Sequence, residues 1–381
     1  MFLLHVASVG PMFELMDEWG PEKVVCVSDS RTGMRGVLVI DNTARGMGKG
    51  GTRMSPDLSV TEVARLARVM TWKWAGVDLF FGGAKAGIRF DPSSARKEDA
   101  LRAFVRLLSN EIPSEYVVGL DMGLTERDAA IVQDELRTRG AAVGTPFELG
   151  GVPYDQLGVT GFGVAEATDA VFPLSGRRVV IQGLGAVGRA AARRFSELGA
   201  VVVAVSSALG AVHDPAGLDL DRLLAVSDDS AVLEYSGGTH LPLGSELLIP
   251  TDVLAPCALQ DVIDASLAAR LSCSFVVEGA NMPTSVEAQQ VLAARGITVL
   301  PDFIANAGGV VAAAYAMDAR LSPFRPDPAA IYATISTKLR ANAVTVLDAA
   351  ATSGATPHTA ARTLAQSRVH TAMHLRGQLP S

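Results

Sequence analysis

Gly183, Gly185 and Gly188 follow directly on the apolar run RVVIQ (178–182) and open a stretch with helical periodicity. This G-x-G-x-x-G spacing between a strand and a helix restricts the fold more than any other feature. The first glycine permits a tight turn, the second lets a pyrophosphate approach the backbone, and the third lets helix and strand pack closely. The unpaired N–H groups and positive dipole end of the helix, from Ala186 and Val187 onward, then face the phosphates. Further short apolar runs at 201–205, 252–256, 275–280 and 297–302 alternate with helical spacers. Such alternation builds a parallel sheet covered on both faces, so the fold class is α/β.

An acidic reader of the adenosine ribose belongs ~20 residues past the first glycines, at the end of the second strand. Ser206 and Ser207 stand there instead, with no acid before Asp214 and no arginine to hold a 2′-phosphate. A serine can bond either group, so NAD and NADP both remain open.

Upstream of the fingerprint the pattern is different. Val24–Ser28 and Val37–Ile40 read as strands joined by a turn. Ser59 and Glu62 form an S-x-x-E capping box, and Val63, Leu66, Ala67, Met70 and Trp74 then share one helix face. A glycine-rich loop is expected over 82–87, a helix over 98–110, a strand over 116–120 and a helix from about Thr125. The first twenty residues read as an opening helix. The Pro- and Gly-rich stretches 145–158 and 321–328 punctuate the chain, and 329–376 reads mainly as helix.

Composition narrows the function. The 33 Lys+Arg against 40 Asp+Glu give a net charge of −7, which argues against a nucleic-acid partner. Three scattered cysteines cannot build a disulfide framework or a zinc module, and they fit a reducing cytoplasm. No apolar run reaches the roughly 18 residues a membrane helix needs.

Three charged residues draw attention within the first 150. Lys73 lies on the apolar face of its helix, where it needs an acceptor or a bound anion, unless it snorkels past the helix end. Lys85, in GGAKAG, has small neighbours that leave room for a substrate, and burial or a second cation would bring its pKa toward neutrality. Asp121 ends an apolar strand, where reactive groups gather in α/β proteins, although a capping aspartate would look the same.

The stretch GKGGTRMSPDLSVTEVARLARVMTWKWAGVDLFFGGAKAGIRFDP (48–92) resembles the glutamate/leucine/phenylalanine/valine dehydrogenase superfamily. So do GLDMGLTERD (119–128), ELGG (148–151), VTGFGV (159–164), VVIQGLGAVG (179–188), EGANMPT (278–284) and IANAGGV (304–310), in the right order. The resemblance implies a two-domain enzyme. An amino-terminal α/β substrate-binding and oligomerisation domain would comprise 1–150 plus 320–381, and a Rossmann dinucleotide-binding domain 151–319. It implies NAD(P)-dependent oxidative deamination of an L-amino acid by a homo-oligomer. Lys73 would bind the α-carboxylate, Lys85 would activate water, and Asp121 would shuttle protons. Thr160, Asn281 and Asn306, with Ala258 and the fingerprint residues, would line the cofactor site. Gly50, Lys49 and Ala313 would line the substrate pocket.

The substrate's side chain is less determined. The short amino-terminal region looks like leucine dehydrogenases. Lys49 matches the lysine that binds the side-chain carboxylate in glutamate enzymes, yet Ala313 stands where those enzymes carry a helping serine. The balance of these features favours an apolar or aromatic side chain. A glutamate dehydrogenase is the first alternative, and a cofactor-binding regulator without turnover the second.

Overall fold

The computed structural model describes residues 12–379; most of the expected opening helix lies outside them, and Met12–Leu15 form a single 3-10 turn. The chain forms two compact units. One comprises the chain up to Val152, Ala316–Arg325 and the segment from Arg368 onward; the other comprises Pro153–Tyr315 and Pro326–Ser367.

In the first unit, strands β1 (Lys23–Asp29) and β2 (Met34–Asn42) form the expected antiparallel hairpin. Strands β3 (Gly48–Lys49), β4 (Thr52–Met54), β5 (Gly82–Arg89) and β6 (Tyr116–Val117) complete a sheet ordered β1-β2-β5-β3-β6, with β4 also on β5. Helix α1 (Val60–Gly76) is capped by Ser59, whose hydroxyl accepts from the Glu62 N–H. It covers one face through Val63, Ala64 and Ala67, packed with Val37, Val39 and Leu58. Helices α2 (Lys97–Leu107) and α3 (Glu126–Leu136) cover the other, burying Leu101, Phe104 and Val132 against Leu38, Ala84 and Ile88.

The glycine-rich segment 82–87 is therefore no loop but the start of central strand β5. The reason is steric. A Cβ at Gly83 would lie 2.0 Å from Thr71 Oγ1, and one at Gly87 would lie 2.3 Å from Leu58 and 2.6 Å from Val63. Helix α1 and the residues before it rest directly on β5, and only glycine admits that approach.

The second unit carries a sheet ordered β10-β9-β8-β7-β11-β12-β13. Strands β7 (Arg178–Gln182), β8 (Val201–Ser207), β11 (Val253–Pro256), β12 (Phe275–Val277) and β13 (Thr298–Leu300) are parallel, as expected. An antiparallel edge, β9 (Gly210–His213) and β10 (Thr239–Leu241), extends the sheet beyond β8; the sequence reading contained neither.

Assignment of 320–381 to the first domain needs correction, because 326–367 packs within the second unit. The helix Pro328–Ser353 lies on the helix Val159–Val171, where a Cβ at Gly163 would come 2.6 Å from Leu339. Buried Glu166 binds the two together. It accepts from Ser336 Oγ at 2.5 Å and faces Arg340 at 3.2 Å and Arg194 at 2.6 Å. Alternating small and apolar residues cannot tell a sequence reader which unit such a helix joins.

Gly83→Ala tests the strand assignment. Its new methyl would meet the backbone of α1 as well as Thr71, and overpacking of this kind typically costs ~1–3 kcal/mol. Equilibrium denaturation should show a lowered midpoint; an unchanged midpoint would mean that α1 does not rest on β5.

Candidate active site

Lys85 rises from β5 between Gly83 and Gly87, on the α1 face of the sheet, and is 7% exposed. Asp121 reaches it from a segment that runs beside β4. The Thr52 N–H donates to the Gly119 carbonyl at 2.8 Å, and the Met54 N–H to Met122 at 2.8 Å. A Cβ at Gly51 would lie 2.7 Å from the Leu120 carbonyl and 2.9 Å from Asp121 Cβ, so the close approach of these segments requires glycine there. Asp121 Oδ2 contacts Lys85 Nζ directly and lies 3.4 Å from Arg53 Nε, while Oδ1 accepts from the Met122 N–H at 2.7 Å. Burial alone raises the Asp121 pKa. Lys85 and then Arg53 outweigh it and hold the carboxyl below its ordinary range. The carboxylate is thus held anionic.

Lys49 occupies β3, one strand over. It is 2% exposed, and its ammonium donates to the Val117 carbonyl at 2.9 Å. No carboxylate pairs with it among the described residues. Burial, then the charges of Arg320 and Lys85, pull its pKa down to about 7. Its backbone is fixed on both sides. Trp74 Nε1 donates to the Lys49 carbonyl at 3.0 Å, and the buried Tyr116 hydroxyl donates to the Gly50 carbonyl at 3.0 Å. Gly50 has no alternative, since a Cβ would sit 1.7 Å from the Ala84 carbonyl. Lys73 lies in the last turn of α1 and is half-buried. Arg320 lines a narrow crevice with Val143, Gly144 and Gly151, and burial lowers its pKa. Sequence reasoning missed Arg53 and Arg320, since a lone arginine carries no spacing signal.

In the second unit the fingerprint forms as expected. Gly183 has φ 94° and its Cβ would lie 2.5 Å from Ala258, while a Cβ at Gly188 would lie 1.8 Å from the Gly183 carbonyl. Gly185 differs, with open space where its Cβ would be, and the helix Ala186–Glu197 starts there. That open cradle at a helix amino terminus fits a dinucleotide pyrophosphate. Asn306 Nδ2 donates to the Gly279 and Ala280 carbonyls and to Asn281 Oδ1, at 3.1–3.3 Å, holding this loop in place. The buried Asn306 Oδ1 has no partner, an acceptor suited to a carboxamide. Thr160 stands near the start of the helix Val159–Val171, with Gly309 packed against its hydroxyl. Ala313 is half-buried on the helix Gly308–Ala319.

Ser206 and Ser207 need correction as ribose readers. They are 1% and 5% exposed. Ser206 Oγ accepts from the Gly183 N–H at 3.1 Å, and Ser207 Oγ donates to the Asp229 carbonyl at 2.8 Å. Their hydroxyls are buried and hold the fingerprint turn and a neighbouring loop.

A lysine–aspartate pair on one α/β unit and a dinucleotide fingerprint on another fit a two-domain oxidoreductase. Residues 21–138 match the Glu/Leu/Phe/Val dehydrogenase dimerisation domain, and residues 150–377 match Glutamate/Leucine/Phenylalanine/Valine dehydrogenase. The chain belongs to this family and is an NAD(P)-dependent amino acid dehydrogenase acting on a CH–NH2 group. It is 40% identical to glutamate dehydrogenase A2 of Halobacterium salinarum over 286 residues, covering 71% of this chain and 68% of that one. It is 35% identical to the NADP-specific glutamate dehydrogenase of Saccharolobus shibatae, covering 76% and 74%. The structure is similar to that of the leucine-bound hetero-hexameric glutamate dehydrogenase from Thermus thermophilus, with TM-score 0.82, 29% identity and coverage of 96% and 93%. These relatives are glutamate dehydrogenases, so the leucine-type layout suggested by the short amino-terminal region is not what they support. Among the described residues no helix is long and apolar enough to cross a membrane.

The displaced lysine pKa predicts a pH signature. The unfolded Lys49 titrates near 10.5 and the folded one near 7, so between these values unfolding takes up a proton and stability rises with pH. Below about pH 7 the cost of the buried charge is fully present. Lys49→Met should therefore gain stability relative to the parent near neutrality. The gap should shrink by up to about 1.4 kcal/mol per pH unit as pH rises. Denaturant midpoints of the two proteins across that window measure it; a pH-independent gap would place the ammonium in contact with water or a counter-ion.

Proposed function

We propose that this protein is a glutamate dehydrogenase, which deaminates L-glutamate oxidatively to 2-oxoglutarate and ammonia and runs the reverse amination. The observation that carries this reading is the Lys49 ammonium, buried beside the charge of Arg320 with one carbonyl acceptor and, among the described residues, no carboxylate. A buried cation left so poorly satisfied is costly, and a side-chain carboxylate from the substrate would relieve it. An apolar side chain, favoured by the sequence reading, would leave that cost in place. Arg320 supplies a second positive charge near Lys49. The glutamate dehydrogenases among the relatives support the same choice.

In this mechanism Lys73 takes the α-carboxylate, and Lys49 with Arg320 takes the side-chain carboxylate. Asp121 removes a proton from the substrate ammonium. The bound nicotinamide supplies the hydride acceptor. Lys85 orients the water that adds to the imine carbon and stabilises the oxygen of the carbinolamine. Asp121, having released that first proton to solvent, takes a proton from the water as it adds and passes it to nitrogen, then accepts the carbinolamine hydroxyl proton as the C–N bond breaks and ammonia leaves. Arg53 holds Asp121 in place and keeps it anionic between these transfers. The matched dimerisation domain supports assembly as a homo-oligomer.

The test is turnover of an amino-acid panel with NAD and NADP, followed by absorbance of the reduced nicotinamide. Glutamate should exceed leucine and phenylalanine by ~10²-fold or more in kcat/KM. Lys49→Leu should remove most of that advantage and raise leucine turnover. Efficient leucine or phenylalanine oxidation with glutamate inert would overturn the reading.

Lys85→Ala and Asp121→Asn should each lower kcat by ~10²–10⁴-fold, the usual contribution of a positioned acid or base. Binding of reduced cofactor, read by its fluorescence, should be nearly unchanged. Near-normal kcat in either variant would remove that residue from its role, and an inert parent would favour the regulator.

A further inference from the structure

The nicotinamide dinucleotide carries its identity on the adenosine ribose, as a 2′-hydroxyl or a 2′-phosphate. The end of β8, where a reader normally stands, offers only the engaged hydroxyls of Ser206 and Ser207. The Ser207 hydroxyl, however, brings in another segment by donating to the Asp229 carbonyl at 2.8 Å. Arg189, the residue after the third fingerprint glycine, fastens that segment to the turn. Its Nε donates to the Leu184 carbonyl inside the fingerprint at 2.9 Å, Nη1 to Val226 at 2.6 Å and Nη2 to Asp228 at 2.8 Å. The loop 226–230 is thus fixed at the fingerprint and at the end of β8 together.

We propose that Asp229, held at the end of β8 by this clamp, reads the ribose 2′-hydroxyl and makes the protein select NAD over NADP. Two acids follow each other on the loop, and they are not equivalent. Asp228 accepts from the Ser230 N–H at 2.8 Å, which shapes the turn. The Asp229 side chain is exposed and has no bonded donor among the described residues. A carboxylate accepts from a ribose hydroxyl and repels a phosphate. Arg189 is the obvious cation to offset that repulsion, but its three donor nitrogens point at backbone carbonyls, and its planar fork cannot turn to a phosphate without releasing the loop. The family leaves the choice open, since one relative is NADP-specific. The inference does not depend on which amino acid is oxidised.

The experiment measures dissociation constants of NADH and NADPH directly, from the fluorescence of the bound reduced nicotinamide, without amino acid present. The parent should bind NADH more tightly by on the order of 10–100-fold, the range of a hydrogen bond to a charged group. Asp229→Ser should bring the two constants within a few-fold, by weakening NADH and strengthening NADPH. Asp229→Asn, which keeps the shape and removes the charge, should do the same. Melting midpoints should match the parent, because the bond from Ser207 is to the backbone. Asp228→Ser should leave the ratio within ~3-fold of the parent. A parent that binds NADPH as well as NADH, an unchanged ratio in both Asp229 variants, or a ratio that moves with Asp228 instead would each overturn the assignment.

Discussion

The contact of helix α1 with strand β5, made without side chains at Gly83 and Gly87, is the constraint on which the first unit depends. It brings the helix close enough for Trp74 to fix the Lys49 carbonyl, and it leaves Lys85 as the long side chain between the two glycines. A larger residue at either position would lift the helix and reopen the sheet face to water. Burial of the two lysines therefore follows from packing, and packing follows from the absence of two methyl groups.

Once the lysines are buried, electrostatics separates them. Lys85 has a carboxylate in contact, so its charge is compensated within the chain, and the same pairing keeps Asp121 deprotonated. Lys49 has, among the described residues, a carbonyl acceptor only, with Arg320 and Lys85 adding repulsion. One lysine is balanced internally and the other, among the described residues, is not. That asymmetry is the physical basis for reading Lys85 as part of the chemistry and Lys49 as part of substrate selection.

Much of this was legible in the sequence, and the failures have identifiable causes. The parallel strands of the second unit, the helix capped by Ser59 and the fingerprint carried periodic or positional signals strong enough to place them. Strand β5 did not, because a strand of glycine, alanine and one lysine has no alternating pattern and looks like a loop. Lys73, Lys85 and Asp121 were singled out by order within a family pattern, whereas Arg53 and Arg320 reach their places only through tertiary folding. Ser206 and Ser207 were placed correctly at the end of β8. Their hydroxyls face inward, since a strand end has two faces and composition does not say which is wet. The loop bearing Asp229 lies 22 residues beyond Ser207 in sequence and is joined to it by one hydrogen bond, a relation no local pattern encodes.

The two glycine-rich segments make the same point from opposite directions. In β5 the missing side chains are replaced by another part of the protein, so that substitution collides with α1. At Gly185 nothing fills the space. A glycine whose Cβ would meet protein serves the fold, while Gly185, at the amino terminus of a helix and with an ordinary negative φ of −79°, leaves a space that a ligand would fit. Neither tight packing nor a left-handed backbone requires glycine at that position. The open space fits an approach of phosphate oxygens to the N–H groups of Ala186 and its neighbours. The fingerprint is thereby divided within itself: Gly183 and Gly188 build the turn against Ala258 and against each other, and Gly185 keeps it open.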